Sequence, residues 1–189
     1  MLFFACAIPL ALDQAETPAE ALAKVRQAHA KAEADYTATL KSEPDNADLY
    51  HQRGVVRFFQ LKFTESLADF DKFIEMTPSR EPYHWQRGLV HYYAGKYKDG
   101  RKQFESHQTV NTQDVENAVW HYLCLARAKG IEEAKKKLIP IVGDGRIPMM
   151  EVHALFGGKS SPEKVLVKAR AGGVKGGRLG RQLFYAHLY

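Results

Sequence analysis

The sequence has few cysteines, and its acidic residues stop well before its end. Cys6 and Cys124 are the only cysteines among 189 residues, so no disulfide framework can define the fold. No acidic residue follows Glu163, whereas six positive residues do. Since the net charge is +5, the rest of the chain sums to 5 − 6 = −1. The basic character therefore belongs to the C-terminal segment, which makes it a weak argument for nucleic acid as the partner.

The sequence also lacks the patterns that enzymes and metalloproteins carry. The tripeptide at Gly158 matches the end of a phosphate-binding loop, but a glycine is required five residues earlier, where His153 stands. His91 and His121 have too few cysteines and carboxylates beside them at ligand spacing to form a metal site. No serine, histidine and aspartate share a strand-turn-helix context. We therefore predict no catalytic residues, no metal and no cofactor.

One tripeptide occurs twice, as Gln52-Arg53-Gly54 and again 34 residues later as Gln86-Arg87-Gly88. Further pairs match at the same offset: Val56 and Val90, Phe58 and Tyr92, Phe59 and Tyr93, Lys62 and Lys96, Phe63 and Tyr97, Phe70 and Phe104. A period of 34 residues is typical of the tetratricopeptide repeat, a helix-turn-helix unit that stacks on its neighbours.

The repeat predicts an all-α fold, a tetratricopeptide helix-turn-helix solenoid. Gly54 and Gly88 are expected where the two helices of a unit cross, with Ser66 and Gly100 on the facing helices. In a degraded third unit Tyr122 takes the glycine position, so its helices should cross further apart or at another angle. The predicted segments are 1–16 (export signal or apolar segment), 17–46 (helix of a partial repeat), 47–80, 81–114 and 115–139 (three units), 140–177 (helical insert and glycine-rich linker) and 178–189 (first helix of a further repeat that continues beyond Tyr189).

The N-terminus is apolar from Met1 to Leu12 and polar from Asp13 onward, which is typical of an export signal without a positive start. Cys6 follows Ala5, as a lipid-modified cysteine follows a small residue. We expect an exported protein in the periplasm or anchored in the cell envelope. The alternative is a cytoplasmic protein whose apolar N-terminal helix packs on the first repeat.

The order of the segments resembles the bacterial NlpI-type tetratricopeptide lipoproteins. The stretches that carry the resemblance begin at Arg87, His91, Val119, Phe156 and Phe184. This resemblance implies a non-catalytic envelope scaffold that docks proteases and other envelope enzymes.

Stacked repeats curve, and the first helix of each unit lines the concave side. Counting from Ala47, Glu81 and Val115 predicts an aromatic, largely uncharged groove. Its residues are Asp48, His51, Val55, Phe58, Phe59, Pro82, Trp85, Leu89, Tyr92, Tyr93, Val119, Leu123 and Arg127. Such a groove suits an amphipathic helix or an extended peptide. Alternatively, the rings pack against the next repeat and the protein's own N-terminal helix fills the groove.

Two further functions stay open at this stage. The basic segment could bind an anionic partner, either membrane lipid or nucleic acid, through Lys168, Arg170, Lys175, Arg178 and Arg181. The chain could also be a regulatory part of a larger enzyme, and a homo-oligomer is possible. Salt separates a basic from an aromatic surface, because binding to phosphates weakens steeply with ionic strength.

Overall fold

The regular secondary structure is helical throughout the part of the chain that the structure, a computed structural model, describes: residues 17–171 and 176–189. No strand occurs in these residues, and the predicted all-α class is confirmed. The helices are α1 (Pro18–Ser42), α2 (Ala47–Phe59), α3 (Phe63–Met76), a 3-10 helix (Pro78–Tyr83), α4 (Trp85–Tyr93), α5 (Tyr97–His107), α6 (Val115–Lys129), α7 (Ile131–Lys136), α8 (Met149–Phe156), α9 (Pro162–Arg170) and α10 (Gly176–Leu188). The predicted segment 1–16 and Lys175 lie outside the described residues.

Local capping signals set the starts of the first and ninth helices. Thr17 accepts a hydrogen bond from the Glu20 amide, and the Glu20 carboxylate accepts from the Thr17 amide at 2.8 Å. Ser161 accepts from the amide of Lys164, and Pro162 occupies the first helical position. These side chains satisfy amides that have no partner inside the helix, so they fix where the two helices begin.

Helix boundaries recur with the period of the sequence repeat. Helices α3, α5 and α7 begin at Phe63, Tyr97 and Ile131, at successive intervals of 34 residues. Helices α2 and α6 begin at Ala47 and Val115, two such intervals apart. Each of α2, α4 and α6 packs on the helix that follows it.

The first two helix pairs cross closely at their glycines. A Cβ atom on Gly54 would lie 2.6 Å from the Phe70 ring, and one on Gly88 would lie 2.7 Å from the Phe104 ring. Both rings are buried. The Ser66 hydroxyl donates to the Gly54 carbonyl at 2.7 Å. The predicted crossing through a missing side chain is therefore present in both pairs.

The third pair packs differently. Tyr122 is buried, and its ring lies edge-on to Phe156 of α8, with 5.1 Å between ring centroids. The small residue of this pair is Ala134 on α7, which is fully buried and shares a cluster with Tyr122 and Leu125. A bulky residue on one helix is thus accommodated by alanine on its partner and by an extra helix.

Two boundaries differ from the sequence-based expectation. Counting from Glu81 assumes a helix that starts there, but a 3-10 helix occupies this stretch and α4 starts at Trp85. Pro82 lacks an amide hydrogen and disfavours the α conformation at Glu81, which delays the α-helix. Helix α10 starts at Gly176, inside the predicted linker and two residues before the predicted last segment, which begins at 178.

Helices α8, α9 and α10 pack together and against α6, and they bury the main apolar cluster. The cluster comprises Val115, Ala118, Val119, Ile141, Met149, Val152 and Val165. Tyr185 and Tyr189 pack against it, and the Tyr189 hydroxyl donates to Glu116 at 2.9 Å. The predicted insert thus covers one face of α6, and a different face of α6 contacts α4.

Candidate aromatic binding face

Aromatic rings form a continuous row across α2, α4 and α6. We call Phe58, Phe59, Tyr92, Tyr93 and Trp120 the aromatic row. Successive ring centroids lie 5.7 Å apart from Phe59 to Phe58, 5.9 Å from Phe58 to Tyr93 and 6.0 Å from Tyr93 to Trp120. These are ordinary spacings for favourable ring pairs.

The row combines outward rings with anchored ones. Phe59 is 61% exposed and Tyr93 is 51% exposed, whereas Phe58, Tyr92 and Trp120 are half-buried. The Tyr92 ring meets Trp120 edge-on at a centroid distance of 5.3 Å. The anchored rings therefore fix the outward ones, and an apolar surface faces solvent.

The N-terminal helix contacts one end of the row without burying it. The imidazole of His29 on α1 stacks on Phe59 at 5.3 Å between centroids. Glu33, one turn further on, binds Arg57 at 2.9 Å and Lys62 at 2.5 Å. Burial alone would raise the pKa of Glu33, but hydrogen bonds from Lys62 and Arg57 outweigh it and lower the pKa to about 2. These bonds fix α1 beside α2.

The remaining predicted groove residues of α4 connect the row to a cavity. Trp85, Leu89 and Tyr93 are spaced four residues apart, so they share one face of α4. Trp85 and His51 line a cavity of about 450 Å³ at the N-terminal ends of α4 and α2. Of the predicted residues, the row thus contains Phe58, Phe59, Tyr92 and Tyr93, and the cavity is lined by His51 and Trp85.

Helix α6, the first helix of the third unit, contributes a residue to the row that was not among the predicted ones. Val119 is fully buried in the main apolar cluster and Leu123 packs against that cluster, so their assignment to the groove is wrong. The insert covers that side of α6, and the neighbouring Trp120 faces α4 instead. Arg127 is exposed, and its guanidinium lies 5.1 Å from the centroid of Tyr97. Trp120 could have been found from the sequence, because it is an aromatic residue in the first helix of the third unit.

Both tryptophans of the chain line a second cavity, of about 310 Å³, between α4 and α6. Its polar wall includes Asp114, Glu116, Asn117 and Arg146. Arg146 comes from the loop before α8 and binds Asp114 at 2.5 Å and Glu116. The aromatic row therefore adjoins a group of charged side chains at Trp120.

The structure brings only some residues of the predicted basic segment to one site. Arg178 and Arg181 of α10 line a third cavity, of about 490 Å³, together with Arg146 and Tyr185. Lys168 and Arg170 are exposed at the end of α9 and do not line that cavity.

Two histidines, one at the N-terminal cap of α4 and one within it, are buried and held neutral. His84 packs among His51, Phe70 and Phe73, and burial, with the charge of His51 as a smaller cause, lowers its pKa to about 3. Burial likewise lowers the pKa of His91 to about 4. Neither ring nitrogen of His91 has a hydrogen-bond partner within the described ranges.

Acid is expected to destabilise the protein between pH 6.5 and pH 4.5. The unfolded chain protonates its histidines near pH 6.5, while the folded chain keeps His84 and His91 neutral to a much lower pH. The unfolded state then binds more protons, so stability is lost as pH falls through this window. Each histidine contributes about 0.7–1.4 kcal/mol per pH unit. Carboxylates such as Glu33 act only below about pH 4.5.

Urea unfolding of wild type and His91→Leu measures this effect. We expect the variant to lose less stability between pH 6 and pH 5, with a slope shallower by about 0.7–1.4 kcal/mol per pH unit. The stabilities of the two proteins at pH 7.5, above the pKa of His91 in either state, serve as the reference. Equal slopes would show that His91 is not kept neutral by burial.

Possible metal ligands are not clustered in the described part of the chain. Cys124 is buried, and burial raises the pKa of its thiol to about 12. Within residues 17–171 and 176–189, no three histidine, cysteine or acidic side chains are grouped as metal ligands. In the same ranges no helix combines the length and apolar character needed to cross a bilayer.

No protein-family profile and no curated protein matches this chain.

Proposed function

We propose that this protein is a tetratricopeptide-type scaffold that binds a protein or peptide partner on the aromatic row and catalyses no reaction. The observation that carries the proposal is the pair of outward rings, Phe59 and Tyr93, fixed from below by half-buried aromatics. A rigid, exposed aromatic surface offers large contact area at low entropic cost.

The repeat assignment rests on equivalent contacts in the two helix pairs. Gly54 faces Phe70 as Gly88 faces Phe104. Arg53 binds Asp69, and Arg87 binds Gln103, the residue 34 positions later. Equivalent positions thus make equivalent contacts in each pair, which supports a stacked-repeat architecture.

A peptide suits this surface better than a small molecule. The row extends over three helices, and its outward rings are open to solvent rather than enclosed. The cavity beside His51 adds polar groups at one end, among them Asp48, Gln52 and Arg80. An extended peptide could place apolar side chains on the row and its polar backbone or side chains in that cavity.

We further propose that the scaffold acts in the bacterial cell envelope, where it docks a protease or another envelope enzyme. This part rests on the apolar stretch from Met1 to Leu12 and on the resemblance to the NlpI-type lipoproteins. Cell fractionation tests it, and recovery of the protein in the cytosol alone would contradict it.

Peptides selected from a displayed random library against the wild-type protein provide the test of binding. Affinity of a selected peptide is then measured by fluorescence anisotropy for Phe59→Ser, Tyr93→Ser and Phe184→Ser. Phe184 on α10 is a matched control, because it is 60% exposed and lies outside the aromatic row. We expect the first two variants to weaken binding about tenfold or more and the control to leave it unchanged.

The opposite pattern would contradict the proposal. Weakening only by Phe184→Ser would move the site to α10. A second candidate function, an anionic partner at Arg178 and Arg181, is favoured by the cavity that these residues share. Loss of binding in high salt and in Arg181→Ala, with Phe59→Ser unaffected, would support that candidate instead.

A further inference from the structure

The cavity between α4 and α6 combines aromatic walls with a polar floor. Trp85 and Trp120 line it from the two helices, and Asn117, Asp114 and Glu116 line it from α6 and its N-terminal cap. Its volume of about 310 Å³ is at the lower end of the range of about 300–1,000 Å³ for ligand pockets. It therefore fits one long side chain rather than a large ligand.

Asn117 presents an acceptor that needs a donor. The residue is 3% exposed, and its amide nitrogen donates to the Phe104 carbonyl at 3.1 Å and to Gln108 Oε1 at 2.9 Å. Both neighbours are acceptors, so the orientation of the amide is fixed by the hydrogen bonds. Its Oδ1 is buried and has no donor in the described part of the chain. A buried acceptor without a partner needs an explanation, and a donor group on a bound ligand would supply one.

The cavity also carries surplus negative charge on a positively charged chain. Two carboxylates, those of Asp114 and Glu116, line the cavity together with the Arg146 guanidinium that binds them, so the lining keeps one uncompensated negative charge; Arg146 also binds Asp144 outside the lining. Tyr189 approaches Glu116 only with its neutral hydroxyl. His107 also lines the cavity, and its Nδ1 lies 2.8 Å from the Pro82 carbonyl. Charge complementarity therefore favours a cation.

We propose that this cavity binds an arginine side chain of the partner peptide. The planar guanidinium can lie against the indole faces of Trp85 and Trp120, which attract cations. Its five N–H groups can donate to Asn117 Oδ1 and to the Glu116 carboxylate together. The inference rests on the proposed function, because the arginine would belong to a peptide whose apolar residues lie on the aromatic row.

Intrinsic fluorescence measures this binding directly, since the chain has two tryptophans and both line the cavity. The probes are acetylated, amidated tripeptides of sequence Ala-Arg-Ala, Ala-citrulline-Ala and Ala-Glu-Ala, titrated through the millimolar range. Citrulline keeps the shape of arginine without its charge. We expect saturable spectral change with the arginine peptide, at least about tenfold weaker binding of the citrulline peptide, and none of the glutamate peptide.

Matched charge variants locate the effect. Glu116→Gln removes one carboxylate from the cavity and should weaken the arginine peptide about tenfold. Glu163→Gln removes one exposed carboxylate on α9 and should leave its affinity unchanged. Raising the salt concentration on the wild-type protein should also weaken binding, which requires no variant. Equal binding of arginine and citrulline, or no spectral change with arginine, would overturn the inference.

The two proposals can fail separately. A selected peptide that loses affinity with Phe59→Ser but contains no arginine would keep the aromatic row and reject the arginine cavity. Arginine-dependent fluorescence together with unchanged affinity in Phe59→Ser and Tyr93→Ser would keep the cavity and reject the row.

Discussion

Asp69→Asn is expected to lower the free energy of unfolding by about 3 kcal/mol. The carboxylate is almost fully buried and binds Arg53 at 2.7 Å and Arg57 at 2.9 Å. Removing its charge leaves two guanidinium groups, both largely buried, with a neutral amide whose nitrogen cannot accept their hydrogen bonds. The loss of one partner from a buried ion pair costs far more than the pair contributes on the surface.

Asp71→Asn is the matched control for this prediction. Asp71 lies two residues further along α3, is about half exposed and binds Arg87 at 2.6 Å. An exposed ion pair contributes little, so the control should change stability by less than about 1 kcal/mol. Chemical denaturation of the three proteins at pH 7 gives both values. Equal losses in the two variants would mean that burial does not determine the strength of these pairs.

Gly88→Ala is expected to destabilise the protein by about 2–3 kcal/mol. The new Cβ would lie 2.7, 2.8 and 3.0 Å from three atoms of the buried Phe104 ring. That ring is enclosed by the packed helix pair, so the helices must separate to admit a methyl group. The cost arises although alanine favours helix over glycine.

Gly180→Ala provides the opposite case in the same kind of helical position. Among the described residues, no atom outside the backbone of α10 itself lies within 4 Å of a Cβ placed on Gly180. Helix propensity then acts alone, and we expect stabilisation by about 0.5–1 kcal/mol. Thermal or urea unfolding distinguishes the two, and a Gly88→Ala protein as stable as wild type would argue against close crossing of α4 and α5.

Much of the fold could be predicted because its signals are local. Capping at Thr17 and Ser161 acts within one turn, and the 34-residue period repeats the same pair contacts. The start of α4 was missed because the counting followed the repeat and ignored the local effect of Pro82.

The candidate site was harder to predict, because it depends on contacts distant in sequence. Trp120 faces α4 only because α8 and α9 cover the side of α6 that bears Val119. Arg146 comes from a loop about 30 residues after Asp114, and no periodic pattern connects the two. The arginine cavity therefore became visible only with the helices in place.

The central claim is that the aromatic row contacts the partner, and site-specific photocrosslinking tests it most directly. Phe59 on α2 and the equally exposed Phe184 on α10 are each replaced by p-benzoylphenylalanine in separate proteins. Each protein is irradiated with the selected peptide, and the adduct is detected by mass spectrometry. We predict an adduct at position 59 and none at position 184. An adduct at position 184 alone would contradict the account and place the partner on α10.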